Sequence, residues 1–181
     1  MKIKNNTTRF ITEAGIMLAL TFILNSIKLY EFPQGGSITP GGYVPLLLFG
    51  FRWGWKKGIM LGGIYGILDF FLGPYFLNVI QFLLDYPIAY AMLGLTGLFS
   101  NKLQIEGKTN ITNLVLGTIF ASLMRIVSAV ISGVAFFSDY LPGEKSYVLE
   151  SFLYNASYGI PNMIIAIILI VIIYPRIKDK L

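Results

Sequence analysis

The run MIIAIILIVIIYP, Met163 to Pro175, ends an apolar segment that begins at Tyr147 and is long enough to cross a bilayer. Lipid offers no hydrogen bonds, so a segment of this kind must satisfy its backbone internally as a helix. Similar runs recur along the chain. At about 20 apolar residues per crossing, the helices are expected at Thr8–Ile27, Tyr43–Phe51, Lys57–Phe71, Phe76–Phe99, Ile111–Phe137 and Tyr147–Tyr174. The second and third are short, which points to a recessed cavity rather than a plain bundle. The expected fold class is therefore an all-α membrane protein of six transmembrane helices with an outward-facing pocket. Residues 1–181 form a single integral membrane domain in this reading.

Composition supports the membrane and narrows the chemistry. Charged residues make up 13% of the chain, against roughly 25% in a soluble domain. There is no Cys and no His, which removes disulfides, thiolate metal sites, thiol nucleophiles and the commonest general base. No catalytic residue, metal or cofactor is expected. The basic start Met1–Arg9 leads into an apolar run too long for a signal peptide and is read as the entry to the first helix. No nucleotide-binding loop is present, so any use of ATP must come through partners.

Eleven of the 14 Lys and Arg, among them Lys2, Arg9, Arg52, Lys57, Lys102 and Arg176, fall on the side of a six-helix arrangement that holds both termini. The positive-inside rule makes that side cytoplasmic. The segment FRWGWKK, Phe51 to Lys57, is accordingly read as an interfacial anchor, with Trp53 and Trp55 at headgroup depth. Nucleic acid is not an expected partner, because base stacking needs an extended groove that this turn does not supply.

Polar residues inside the apolar runs mark the candidate site. Asp85, in QFLLDYPIAYAML, lies about ten residues beyond Phe76, hence roughly 15 Å deep by helix rise. Tyr86 and Tyr90 sit beside it. Arg125 in the fifth helix is the obvious ion-pair partner for Asp85; the alternative is that it snorkels toward the cytoplasmic face. In the sixth helix Glu150, Tyr154 and Tyr158 share a face with Asn155 adjoining it, the pattern of a pocket wall. Pro161 is expected to kink or loosen that helix. Asp69, near the outer end of the third helix, is either a solvated interfacial carboxylate or a ligand contact. The connection KLYEFPQGGSITPGGYVP is too broken to be helical and is read as a lid over an outward pocket, with Tyr30, Phe32 and Gln34 offering contacts. Gly15 and Ala19 form a small-xxx-small pair on the first helix that packs either inside the bundle or against a partner.

The segments FPQGGSIT, VPLLLFGFRWG, LLDYPIA, LMRIVSAVISGVAFF and LYNASYGIP, in that order, resemble the thiamine-specific (YuaJ-like) S components of energy-coupling factor vitamin transporters. The resemblance implies a non-enzymatic subunit that captures a vitamin outside the cell and delivers it through a membrane coupling protein and two cytoplasmic ATPases. It places the family's acidic residue on Asp85, the following aromatic on Tyr86, the asparagine on Asn155 and the aromatic at the outer end of the fifth helix on Phe137. Gly15 and Ala19 take the place of the motif that contacts the coupling protein. Two positions depart from the family: its usual histidine falls on Ala129 and a tyrosine falls on Glu150. The expected ligand is thiamine or a related compound, held by Asp85, Glu150 and Asn155, with Tyr86, Phe137 and Tyr154 against its rings and Gln34, Gly36 and Ser37 in the lid. A pyridoxine-type compound or the thiamine pyrimidine is the alternative ligand. The rival functions are a membrane-embedded acid/base enzyme using Asp69, Asp85 and Glu150, and a purely structural membrane partner.

Overall fold

The structure is a computed structural model that describes residues 2–33, 35–71, 73, 76–105, 108–136 and 147–177. Among these residues six helices follow one another in antiparallel order. They are α1 (Lys2–Ser26), α2 (Val44–Trp53), α3 (Trp55–Phe70), the composite α4, α5 (Ile111–Phe136) and α6 (Tyr147–Ile177). Helix α4 runs as Val79–Leu83, a π-helical turn at Leu84–Ile88, Ala89–Leu93 and a 3-10 stretch at Gly94–Lys102. Four of these helices are long and apolar enough to cross a membrane, over Thr7–Ser26, Val79–Asn101, Ile111–Phe136 and Tyr147–Ile177. Two hairpins of two-residue strands complete the fold: β1 (Tyr30–Glu31) with β2 (Ser37–Ile38), and β3 (Gln104–Ile105) with β4 (Lys108–Thr109).

Helix α2 is the core. Every residue from Val44 to Phe51 is buried, as a helix apolar on all faces requires. Leu61 and Tyr65 of α3, Leu93 of α4, Leu114 of α5 and Ile170 of α6 close around it. Because α2 has only 10 residues, it fills one end of the bundle and leaves the other end hollow.

Glycines set the spacing of α3 against α4. A Cβ on Gly58, Gly62 or Gly66 would stand 2.7 Å from the Gly94 carbonyl oxygen, 2.3 Å from that of Tyr90 and 2.4 Å from that of Tyr86. The third helix can lie this close only because one turn after another presents a hydrogen atom.

The filled end carries the basic residues. Glu13 of α1 accepts hydrogen bonds from Arg52 Nη2 at 2.7 Å, Trp53 Nε1 at 2.8 Å and Arg9 Nε at 2.9 Å, and a further one from Arg52 Nε. Lys57 lies over the rings of Phe10 and Trp53. Trp53 is therefore more than an interfacial anchor: with Glu13 it joins α1 to the α2–α3 turn, and of the two tryptophans only Trp55 is exposed.

The outer face of α1 is open. Ile11, Ile16 and Ile23 are more than half exposed, both Gly15 and Ala19 are exposed, and a Cβ on Gly15 would meet nothing within 4 Å. Internal packing of the Gly15/Ala19 pair is thereby ruled out; the bundle uses Phe10, Ala14, Met17 and Leu18 instead.

A polar, aromatic cavity at the hollow end

A cavity of about 680 Å³ occupies the end opposite the basic cluster. It is built from the last turns of α1, α3 and α5, the first turns of α4 and α6, and the β1–β2 hairpin above them.

Helix α4 supplies the carboxylate. The Asn78 side chain caps the helix by accepting from the N–H groups of Ile80 and Gln81 at 2.9 and 3.0 Å. The Gln81 amide then accepts from Leu77 N–H at 3.1 Å and donates to Asp85 Oδ2 at 2.6 Å. Pro87 has no N–H for the carbonyl of Leu83, and the backbone widens into a π turn through LDYPI. That turn is why Asp85 and Tyr86, neighbours in sequence, both line the cavity. Tyr86 packs against Phe70 and Phe82, with ring centroids 5.2 and 6.0 Å away.

Helix α6 supplies the facing wall with Glu150, Ser151, Tyr154, Asn155 and Tyr158. Asn155 is buried, donates to the Ser151 carbonyl at 2.9 Å and accepts from the Tyr158 hydroxyl. Ser151 donates to the Val130 carbonyl at 3.0 Å and so ties α6 to α5. The helix runs on through Pro161 as far as Ile177 without interruption.

The hairpin is latched to α6. Asn162 Nδ2 donates to the Ser37 carbonyl at 2.7 Å, Asn162 Oδ1 accepts from Thr39 N–H at 3.0 Å, and Gly36 N–H donates to the Tyr154 hydroxyl at 3.0 Å. Phe32 lies 6.2 Å from the rings of both Tyr154 and Tyr158. A Cβ on Gly36 would fall 2.5 Å from the Tyr158 ring, so the lid can settle there only as glycine.

Eight of the expected site residues line this one cavity: Asp85, Tyr86, Ala129, Glu150, Tyr154, Asn155, Gly36 and Ser37. Gln34 and Phe137 lie outside the described residues.

Of the two alternatives for Arg125, the ion pair with Asp85 is not made. Arg125 is buried, its guanidinium 4.7 Å from the Tyr43 ring and 4.4 Å from the Tyr90 ring. Ion pairs among the described residues join other groups, and Asp85 bonds Gln81. Nor does Arg125 snorkel to the basic end, since its guanidinium is enclosed between those rings beside the cavity. Helix azimuth, which sequence spacing leaves open, decides both points.

Asp69 belongs to the cavity wall, and its hydroxyl partner was not visible in the sequence. Asn25 Nδ2 donates to the Tyr65 hydroxyl at 2.8 Å, and Tyr65 donates to Asp69 Oδ1 at 3.0 Å. Asn25, Tyr43 and Gln81 also escaped sequence reasoning. Their only sequence signal is polarity at the hollow ends of α1, α2 and α4.

Fold and cavity define a multi-pass membrane protein with a small-ligand-sized site inside its helix bundle. Comparisons narrow the class. The sequence profile of the thiamine transporter protein family (Thia_YuaJ) matches residues 11–181. The chain is 33% identical over 182 residues to the thiamine transporter ThiT of Bacillus subtilis, covering 93% of this chain and 94% of that protein. It is 26% identical over 138 residues to ThiT of Lacticaseibacillus paracasei, covering 71% and 69% of the two chains. A solved structure of ThiT from Listeria monocytogenes shares the fold, with a TM-score of 0.82, 22% identity and 97% of each chain covered. The chain belongs to the thiamine transporter protein family and is a multi-pass protein of the cell membrane.

Proposed function

We propose that this chain is the substrate-binding S component of an energy-coupling factor importer, capturing thiamine outside the cell. The observation that carries this reading is the cavity itself. Carboxylates of Asp85, Asp69 and Glu150 and the rings of Tyr86, Tyr90, Tyr154 and Tyr158 converge at the end opposite the basic residues. A flat heteroaromatic cation gains charge pairing and cation–π attraction in such a site. By the positive-inside rule, both termini are cytoplasmic and the cavity faces outward. Asp85, Glu150 and Asn155 pair with the ligand, Tyr86 and Tyr154 meet its rings, and the hairpin with Gly36 and Ser37 closes over it. The chain does no chemistry of its own. ATP hydrolysis belongs to two cytoplasmic subunits, reached through a membrane coupling protein that docks on the open face of α1 at Gly15 and Ala19.

One feature favours a related ligand. Ala129 offers the cavity only a methyl group and Glu150 adds a carboxylate, a polar pattern that discriminates by leaving mismatched groups unpaired. A pyridoxine-type compound or the thiamine pyrimidine is the alternative that this wall suits.

The test is uptake of labelled thiamine by cells that lack other thiamine transport, expressing the chain with and without the coupling protein and ATPases. ATP-dependent uptake only with the full set is expected. Uptake by the chain alone, or none with every subunit present, contradicts the proposal.

A further inference from the structure

One cation of the cavity wall, Arg125, is held by aromatic rings and has no carboxylate within ion-pair distance among the described residues. Arg125 is 8% exposed, yet its Nε has no hydrogen-bond partner among the described residues. The Tyr43 and Tyr90 rings flank the guanidinium, and the Tyr90 hydroxyl offers it a neutral acceptor, which leaves the Nε donor unused. Ring faces attract a guanidinium only weakly against the cost of burying its charge. Arg125 itself lines the cavity. Ala129 and Gly133, one and two turns further along the same face of α5, also line the cavity and interpose nothing larger than a methyl group.

We infer that Arg125 is a ligand-contacting, specificity-determining residue that requires a hydrogen-bond acceptor on the ligand. This deepens the reading of the site given above and rests on it. The ligand class becomes a heteroaromatic cation whose positive end meets the carboxylates and which carries a ring nitrogen or a hydroxyl to the Arg125 floor. A neutral acceptor suits the site better than a phosphate. Asp69, Asp85 and Glu150 are three carboxylates against two cations, Arg125 and Lys28, so the lining already carries one excess negative charge.

The experiment is calorimetric titration of the wild type, Arg125→Met and Arg125→Lys with four probes. These are thiamine, its analogue with ethyl in place of hydroxyethyl, and the two analogues with CH in place of one or the other pyrimidine nitrogen. The wild type should prefer thiamine to at least one analogue by about 10- to 100-fold, the effect of stranding a charged donor. In Arg125→Met that preference should shrink to about threefold or less. Arg125→Lys should keep part of the preference, having charge but no planar fork. Equal weakening of all four probes in Arg125→Met would assign Arg125 a structural clamp and overturn the inference. So would a wild type that binds thiamine without discriminating among the analogues. If Arg125→Met does not fold, full retention of the preference in Arg125→Lys overturns it. A folded wild type that binds no thiamine overturns the functional reading and this inference together.

Discussion

Replacing Gly36 with alanine should open the lid. The added Cβ would lie 2.5 and 2.6 Å from two carbons of the Tyr158 ring and 3.0 Å from the Tyr154 hydroxyl oxygen. Relief needs a retreat of about 1 Å to reach ordinary carbon contact. Tyr158 is not free to provide it, since its hydroxyl bonds Asn155 and its ring meets Phe32 and Tyr154. The hairpin therefore lifts, and the Gly36 N–H to Tyr154 hydrogen bond of 3.0 Å is lost with it. Overpacking of one methyl group costs about 1–3 kcal/mol, a factor of about 5 to 150 in affinity. The loss should appear in the dissociation rate, because a lifted hairpin no longer blocks the way out of the cavity. Displacement of labelled thiamine from purified protein measures that rate, and Gly15→Ala, with nothing within 4 Å of its Cβ, is the control. An unchanged dissociation rate in folded Gly36→Ala would refute the claim that this hairpin closes the site.

Further outcomes follow from the same geometry. Asp85→Asn keeps a hydrogen-bonding group beside Gln81 but removes the charge, and thiamine affinity should fall about 10- to 100-fold in calorimetric titration. Tyr65→Phe strands the Asn25 amide and one oxygen of Asp69; at about 1–3 kcal/mol for each stranded group, its melting temperature should drop measurably. Glu13→Gln weakens the junction with Arg52, Arg9 and Trp53 at the far end, so stability should fall by about 1.5–3 kcal/mol in denaturation while thiamine affinity stays unchanged. Gly15→Leu should leave thiamine titration intact and abolish co-purification with the coupling protein.

The helices were legible in the sequence because lipid imposes a length on each apolar run. The expected Ile111–Phe137 and Tyr147–Tyr174 lie within a few residues of α5 and α6. Asp85, Glu150 and Asn155 stood out for the same reason, as polar groups where polarity is costly. What stayed hidden depends on rotation about helix axes and on contacts across the fold. Arg125 and Asp85 lie in neighbouring helices, yet aromatic rings enclose the one and an amide holds the other. Asp69 looked interfacial because α3 is short; Tyr65 and the hollow above α2 turn it inward. The π turn at Leu84–Ile88 is announced only by Pro87, and proline alone does not specify it, since α6 runs on through Pro161. The lid looks like a plain loop in the sequence, because its two-residue strands are too short to show an alternating pattern.

The central claim is that the cavity takes thiamine. Calorimetric titration of the detergent-purified protein, stripped of any co-purified ligand, with thiamine and separately with pyridoxine tests it most directly. Trp53 and Trp55 flank Gly54 at the turn opposite the cavity, so heat is a better signal than tryptophan fluorescence. The account predicts saturable one-to-one binding of thiamine, much tighter than that of pyridoxine. Folded protein that binds pyridoxine and not thiamine, or neither, would contradict it.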